Sequence, residues 1–213
     1  MVMIIFVMNT NKNKQSRGRK VGSGNGSARP LTDNEVRQLF ASIYGKHGHR
    51  NRALVSLLFH CGMRCGEASQ LLIGQLRGPN GKVRDSISIA GMNMKGKVSH
   101  RYYVSNVGKL IIGEYLTQLS GDDSEPLFPS PKTGKLMTPN SVSRLVKNIF
   151  RNAGIDDASS HSGRSTFSRK LLDSGVGIEV ISKCLAHKNI QTTISYLGNI
   201  QPNAQNAVSG IQY

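Results

Sequence analysis

The sequence predicts a mainly α-helical domain that contains one small antiparallel β-hairpin. Apolar residues recur at helical spacing through most of the chain after residue 31, and several of these segments begin with a capping residue. Two short segments of alternating polarity, SISIA and RYYVS, flank the turn-like GMNMKGK and form the predicted hairpin. The glycine-rich GSGNGS neither follows a strand nor opens a helix, so we do not expect a parallel-sheet nucleotide fold.

The first half of this domain is predicted to contain three helices before the hairpin and one after it. Thr32 and Glu35 form a capping box that opens a helix in LTDNEVRQLF. A second helix covers NRALVSLLFHC and is stopped by Gly62, and a short helix follows in MRCGEASQLL. After the hairpin, VGKLIIGEYLTQLS is predicted to be an amphipathic helix and EPLFPSPKTGKLMTP a long surface loop.

The second half is predicted to be helical. In TPNSVSRLVKNIFRNAG, Thr138 caps a helix, Pro139 occupies its first position, and Gly154 ends it. Its apolar residues share one face: Val142, Leu145, Val146, Ile149 and Phe150. Three further helices are predicted in HSGRSTFSRKLLDSG, GIEVISKCLAH and NIQTTISYLG.

The charge of the chain favours an anionic partner. Lys and Arg number 28 against 12 Asp and Glu, which gives a net charge of +16. Such an excess is typical of proteins that bind nucleic acid or an anionic surface, although solubility alone is an alternative explanation. Residues 1–30 are rich in Gly, Ser and Lys and are expected to be a disordered basic arm. The cations of this arm are Lys12, Lys14, Arg17, Arg19, Lys20 and Arg29.

Membrane segments and metal sites are not expected. The opening MVMIIFVM is apolar for eight residues, whereas a spanning helix needs about 20, and it lacks the flanking features of a signal peptide. Cys61, Cys65 and Cys184 cannot all pair within one chain and are typical of a reducing compartment. His60, Cys61 and Cys65 do not have the spacing of structural zinc ligands. We therefore expect a cytoplasmic, nucleoid-associated protein without a metal or cofactor.

Several cationic and nucleophilic side chains fit phosphate chemistry. Attack on a phosphodiester without a metal needs fixed cations, because negative charge grows on the nonbridging oxygens. Arg64 follows a glycine turn, and Arg164 lies three residues after His161, so this pair is predicted to project from one helical face. A guanidinium donates paired hydrogen bonds to phosphate oxygens, which lysine cannot do. Each arginine alone could be a solvated surface charge; the order Arg, Lys, His, Arg, His, Tyr favours phosphate chemistry.

In this order the residues resemble the catalytic domain of the tyrosine recombinase (phage integrase) family. The resemblance lies in three boxes, CGMRCGEASQL, HSGRSTFSRKLLDSG and ISKCLAHKNIQTTISYL, and rests on Arg64, Glu67, His161, Arg164, His187 and Tyr196. The tyrosine follows the second histidine by nine residues, which matches the family pattern. The resemblance covers about residues 31–197 and implies the fold of that catalytic domain for residues 31–198.

The resemblance implies a site-specific recombinase that cuts and rejoins DNA without metal or ATP. Tyr196 is the implied nucleophile, which forms a 3′-phosphotyrosyl link and releases a 5′-hydroxyl. Arg64 and Arg164 are implied to hold the nonbridging oxygens. His161 is implied to accept or share the tyrosine proton, and His187 to donate a hydrogen bond to the phosphate.

The resemblance also implies a lysine on the hairpin turn that protonates the leaving 5′-oxygen. Lys95 and Lys97 both qualify, and Lys95 is favoured because its separation from Arg101 is closer to the family spacing. Lys97 and Arg101 are then expected to contact DNA. Glu67 is expected to orient the site rather than to react.

Three positions depart from the family pattern and leave catalytic efficiency open. Gly163 and Ser165 stand where an apolar residue and a histidine are usual, and Ala186 stands where glycine is common. Within a helix, Gly163 is expected to cost about 0.5–1 kcal/mol relative to alanine. None of these departures removes a reacting group.

The expected partner is double-stranded DNA, on which the resemblance implies a homotetramer. Only thirty residues precede residue 31, where most relatives carry a helical core-binding domain. Either the basic arm or an accessory DNA-binding protein is expected to supply those contacts. Residues 199–213 lie where relatives pack a terminal segment on a neighbouring protomer, so an exchanged tail is expected. Two alternatives are a DNA-binding relative with weak catalysis and a type IB topoisomerase-like relaxing enzyme.

Overall fold

A computed structural model describes residues 28–89, 100–187 and 189–197, without the side chains of residues 195 and 196. Within these ranges the chain is mainly helical with a two-stranded antiparallel sheet, which confirms the predicted fold class. The helices are α1 (Asp33–Ser42), α2 (Gly48–His60), α3 (Cys65–Ala68), α4 (Asn106–Leu116), α5 (Pro139–Asn152), α6 (Ser162–Asp173), α7 (Ile178–Cys184) and α8 (Ile190–Leu197). A short 3₁₀ helix covers Ile73–Gln75, and the strands are β1 (Ser86–Ile89) and β2 (His100–Tyr103). No helix in the described ranges is long and apolar enough to cross a membrane.

Helix α1 begins with the predicted capping box. The Thr32 hydroxyl accepts from the Glu35 amide at 3.3 Å, and the Glu35 carboxylate accepts from the Thr32 amide at 2.8 Å. Just ahead of this box, the Arg29 guanidinium forms ion pairs with both Glu35 and Asp157. Arg29, which the sequence analysis grouped with the basic arm, therefore contacts the folded body. The other cations of that arm, and the tail at 199–213, lie outside the described residues and stay predictions.

Helix α2 is the central buried helix. It starts at Gly48, earlier than the predicted Asn51, and its residues from Ala53 to Phe59 are buried. The predicted stop at Gly62 is confirmed, because this residue has φ of 66° just beyond the helix. A Cβ atom at Gly62 would also lie 2.5 Å from the Phe167 ring. Both constraints require glycine in the turn that leads into α3.

The two strands form the predicted hairpin ladder. Ile87 pairs with Tyr102, and both side chains are fully buried, whereas Arg101 and Tyr103 are exposed. This alternation is the period of a strand with one face on the core. Residues 90–99, which include Lys95 and Lys97, lie outside the described residues.

The segment EPLFPSPKTGKLMTP was predicted as a surface loop, and this is wrong for its apolar residues. Leu127 is 0% and Phe128 1% exposed. The Leu127 amide donates to the Leu71 carbonyl at 2.8 Å, and the Phe128 ring stacks on Tyr115 at 5.9 Å. Prolines and glycines mark where the chain turns, but the apolar residues between them still pack into the core.

Helix α6 packs closely against α2 at a glycine. A Cβ atom at Gly163 would lie 2.8 Å from Leu58 Cβ and 3.0 Å from the Phe59 ring. The glycine that departs from the family pattern therefore allows the two helices to approach each other. This contact sets the position of the first turn of α6, which carries Arg164.

Candidate active site

Arg64 lies in the turn between α2 and α3 and is paired with Glu67. The Glu67 carboxylate accepts from the Arg64 backbone amide at 3.0 Å and from its guanidinium Nη1 at 3.2 Å. The Arg64 side chain remains 39% exposed. One carboxylate thus fixes the backbone and the side chain of this arginine while leaving part of the guanidinium open to solvent.

Tyr102 is a residue of this site that the sequence analysis did not single out. Its hydroxyl donates to Glu67 Oε2 at 2.7 Å. Burial, followed by the nearby carboxylate, raises the pKa of Tyr102 to about 12. The phenol therefore stays protonated at neutral pH and acts as a hydrogen-bond donor. The alternation in RYYVS places Tyr102 on the buried face, which is the signal that could have found it.

Arg164 is buried in the first turn of α6 and is 2% exposed. Its Nη1 donates to the Gly62 carbonyl at 2.5 Å, and its Nη2 donates to the Leu185 carbonyl. The guanidinium thereby joins the α2–α3 turn to the end of α7. His161 precedes α6 as its N-cap residue and is exposed, so the predicted shared helical face holds only in part.

The end of α7 positions His187. The Ala186 amide donates to the Lys183 carbonyl and the His187 amide to the Ser182 carbonyl, both at 3.0 Å. This is the Schellman arrangement, which needs a left-handed residue, and Ala186 supplies it with φ of 50°. The family preference for glycine at Ala186 follows from this conformation. His187 Nδ1 contacts the Thr193 hydroxyl on α8 at 2.7 Å.

The four predicted cationic and imidazole residues share one electrostatic environment. Burial lowers the pKa of His187 to about 4, with further lowering by the charges of Arg164 and Arg64. The pKa of His161 is lowered by the same causes in the same order, because its ring is partly desolvated although the residue as a whole is exposed. Both imidazoles are therefore neutral at neutral pH. Folding has brought together residues from the α2–α3 turn, the start of α6 and the end of α7.

Helix α8 carries Tyr196 close in sequence to this cluster. Tyr196 lies three residues after Thr193, whose side chain is buried and in contact with His187. Its backbone belongs to α8, as the sequence predicted. Arg101 lies on β2 and is exposed, whereas Lys95 and Lys97 lie outside the described residues. Across the described part of the chain, no group of three His, Cys, Asp or Glu residues could hold a metal ion.

Comparison with known proteins identifies the family of the chain. The model of the phage integrase family matches residues 29–201. Tyrosine recombinase XerC of Rickettsia bellii is 33% identical over 150 residues, which cover 69% of this chain and 46% of that protein. Tyrosine recombinase XerD of Pseudomonas putida is 30% identical over 157 residues, which cover 70% of this chain and 49% of that protein. The chain thus spans about half the length of these relatives.

Solved structures show the same fold. The crystal structure of XerA recombinase matches with a TM-score of 0.69 at 22% identity, covering 92% of this chain and 68% of that one. XerH site-specific recombinase, bound to its palindromic difH substrate in a post-cleavage complex, matches with a TM-score of 0.65 at 22% identity. That match covers 89% of this chain and 55% of the XerH chain. The described helices and hairpin therefore adopt the fold of tyrosine recombinase catalytic domains.

Proposed function

The chain belongs to the phage integrase family, and from this premise we propose that it is a site-specific recombinase that cuts and rejoins double-stranded DNA. One observation carries the proposal: Arg164 of α6 donates to the Gly62 carbonyl in the turn that carries Arg64 and to the Leu185 carbonyl two residues before His187. These residues come from three separate segments, and a core does not need such a concentration of cations and imidazoles. A phosphodiester that becomes more negative during attack does need it.

The two arginines bind the scissile phosphate in different ways. The Arg64 guanidinium is partly exposed and presents its fork to the nonbridging oxygens. Arg164 bonds through two of its nitrogens to the Gly62 and Leu185 carbonyls, which fix the orientation of its guanidinium, and in this proposal the phosphate binds against it. Arg164 is thus aligned before DNA binds, which avoids a reorganisation cost during the reaction.

Tyr196 is the nucleophile in this proposal. Its phenol oxygen attacks phosphorus, a 3′-phosphotyrosyl bond forms, and the bond to the 5′-oxygen breaks. The phenol proton passes to His161, which can accept it because its lowered pKa keeps the imidazole neutral. A 5′-hydroxyl from another strand then reverses the step. The phosphate ester is exchanged rather than hydrolysed, so neither ATP nor a metal is required.

His187 donates to the phosphate, and Lys95 protonates the leaving 5′-oxygen. When the Thr193 hydroxyl donates to His187 Nδ1, the proton of the neutral ring is on Nε2. In that tautomer Nε2–H is the donor to a nonbridging oxygen. Lys95, which lies between β1 and β2 in the sequence, is the general acid in preference to Lys97.

The exposed side of α5 is a DNA-binding surface in this proposal. Arg144, Lys147 and Arg151 are exposed and recur at helical spacing. The start of α5 contacts α3, where a Cβ atom at Gly66 would lie 3.8 Å from Pro139. Since this contact brings the start of α5 near the Arg64 turn, we infer that the basic surface binds phosphates together with Arg101, Lys97 and the basic arm. We infer four protomers around two DNA duplexes, with an accessory protein where contacts are missing.

Covalent capture tests the proposal. Wild-type protein is incubated with a pool of nicked duplexes of randomised sequence, and DNA that stays attached in SDS is amplified and sequenced. We expect enrichment of one recognition sequence by the wild type and none by Tyr196→Phe. Tyr44→Phe is the matched control, because Tyr44 is 84% exposed, and it should capture the same DNA.

Two outcomes would contradict the proposal. Absence of any wild-type adduct would leave a DNA-binding protein without useful turnover. Relaxation of supercoiled plasmid that lacks the captured sequence, at the same rate as plasmid that contains it, would identify a relaxing enzyme instead.

A further inference from the structure

Tyr102 joins the hairpin to the two arginines. It lies on β2, is 0% exposed, and pairs with Ile87 of β1. A buried phenol hydroxyl needs a partner, and here the partner is Glu67 Oε2 at 2.7 Å. A hydrogen bond to an ionised carboxylate is about twice as strong as one between neutral groups. This contact ties a strand of the hairpin to the carboxylate that holds Arg64.

The Glu67 carboxylate is held in one orientation by two donors on the same oxygen. Oε2 accepts from the Tyr102 hydroxyl and from the Arg64 amide at 3.0 Å, and Oε1 is left to the Arg64 guanidinium at 3.2 Å. Without the phenol hydroxyl, Oε2 would keep only the backbone donor within hydrogen-bond distance. The carboxylate could then rotate, and Oε1 would no longer be directed at the guanidinium.

The same two groups also act on Arg164. Burial and the charge of Arg64 lower the pKa of Arg164, whereas the Tyr102 phenol and the Glu67 carboxylate oppose this lowering. Two like charges, one of them buried, thus lie near each other, and the Glu67 carboxylate, which pairs with Arg64 and accepts from Tyr102, also acts on Arg164. This arrangement offsets part of the repulsion between the guanidiniums.

We propose that Tyr102 is a positioning residue for the recombination reaction. Its hydroxyl orients the Glu67 carboxylate, and the carboxylate aligns Arg64 beside Arg164 for the nonbridging oxygens of the scissile phosphate. The inference rests on the proposed function, because it assigns Tyr102 a part in the same site. It predicts that the effect of the hydroxyl on the reaction depends on the charge of that phosphate.

Tyr115 provides a matched comparison. It is 6% exposed, its hydroxyl donates to the Leu127 carbonyl at 2.9 Å, and its ring stacks on Phe128. Tyr115→Phe therefore removes a buried hydroxyl, as Tyr102→Phe does. The hydroxyl of Tyr115, however, donates to a backbone carbonyl and not to a carboxylate. A purely structural role of Tyr102 would give the two variants similar behaviour.

The experiment compares two substrates of the captured sequence. One carries an ordinary scissile phosphodiester, and the other a methylphosphonate, in which a methyl group replaces one nonbridging oxygen and removes the charge. Rates of covalent adduct formation are measured at saturating protein and divided by the folded fraction from circular dichroism. We expect Tyr102→Phe to be slower than wild type by about 10- to 100-fold on the phosphodiester, less than for loss of a direct phosphate donor. On the methylphosphonate the difference should fall to about threefold or less, because the arginines then have less charge to stabilise.

Three results would overturn the inference. Equal slowing of Tyr102→Phe on both substrates would show a structural role, and so would slowing no greater than that of Tyr115→Phe. Absence of any adduct from the wild type on the phosphodiester would overturn the proposed function and, with it, the role of Tyr102. If the wild type forms the adduct but Tyr102→Phe gives either of the two structural-role results, the inference fails and the proposed function stands.

Discussion

Arg64 and Arg164 are the two guanidiniums of the candidate site, and the fold holds them in opposite ways. Arg64 is 39% exposed and pairs with a carboxylate three residues away on the same turn. Arg164 is 2% exposed and donates to the carbonyls of Gly62 and Leu185, which belong to distant segments. The comparison teaches that two residues proposed for one task need not share a structural role. Arg64 is positioned locally, whereas Arg164 is part of the core.

Replacing each arginine by glutamine should separate these roles and give the largest effects. Arg164→Gln removes donors to two buried carbonyls and should lower the free energy of unfolding by about 3 kcal/mol or more. Arg64→Gln should lower it by no more than about 1 kcal/mol, because its ion pair is partly exposed. Both should reduce adduct formation by about 100-fold or more. Urea denaturation and covalent capture measure the two properties, and equal losses of stability would contradict the comparison.

The contact that positions the Arg164 turn can be disturbed without touching the arginine. Gly163→Ala gains helix propensity worth about 0.5–1 kcal/mol. However, the new Cβ would lie 2.8 Å from Leu58 Cβ, so α2 and α6 must separate. We expect a net loss of about 1–2 kcal/mol of unfolding free energy in urea.

The control for this variant is Gly113→Ala in α4. There the new Cβ would meet Val83 at an ordinary 3.7 Å. Gly113→Ala should be neutral or more stable by up to about 1 kcal/mol. If both alanine variants are stabilised, the α2–α6 contact does not require glycine.

The pH dependence of stability should report the cationic environment that both arginines create. The pKa of His187 falls from 6.5 to about 4 on folding. Between pH 6.5 and pH 4, the unfolded chain therefore binds a proton at His187 more readily than the folded chain does. The contribution of His187 to the free energy of unfolding should therefore be constant above about pH 7 and decrease as pH falls from 6.5 towards 4. Because the side chain is only half-buried, we expect its part of the decrease to be about 1–2 kcal/mol.

His187→Gln tests the contribution of this residue. Urea denaturation at several pH values between 7 and 4.5 should show a smaller decrease for the variant than for the wild type. Some decrease should persist, because His161 and His60 also have lowered pKa values. An unchanged profile would show that His187 is not in this environment.

The smallest effect is expected at the end of α7, where Arg164 bonds to Leu185. Ala186 has φ of 50°, a conformation that costs a residue with a side chain about 1 kcal/mol more than glycine. Ala186→Gly should raise the free energy of unfolding by about 0.5–1 kcal/mol. Ala153→Gly is the control, because Ala153 has φ of −84° and should lose stability on the same change. Destabilisation of both variants would contradict strain at Ala186.

The sequence predicted the local elements well because their signals are short-range. The capping box of α1, the proline and apolar face of α5 and the alternation of the hairpin strands each involve neighbouring residues. Burial was harder to predict. The loop around Leu127 was placed on the surface, because turn residues reveal where the chain bends and not what covers it.

In the candidate site, too, the sequence predicted local features better than long-range contacts. The resemblance to the family, carried by the order and spacing of its motifs, named Arg64, Glu67, His161, Arg164 and His187, and folding brings these residues into one electrostatic environment. Tyr102 was missed because its partner, Glu67, is 35 residues away. The need for glycine at position 163 was missed for the same reason, since it arises from α2.

The amino-acid sequence by itself determined the kinds of helix and strand, their order, the basic charge and the set of reactive residue types. These depend on capping, periodicity and spacing, which are properties of adjacent residues. Only the tertiary structure decided that one arginine is partly exposed and the other buried, that a tyrosine of β2 holds Glu67, and that the Leu185 carbonyl, next to the left-handed Ala186 at the end of α7, accepts from Arg164 of α6. Those features arise when distant segments compete for the same buried hydrogen-bond donors and space, and neighbouring residues do not encode that competition.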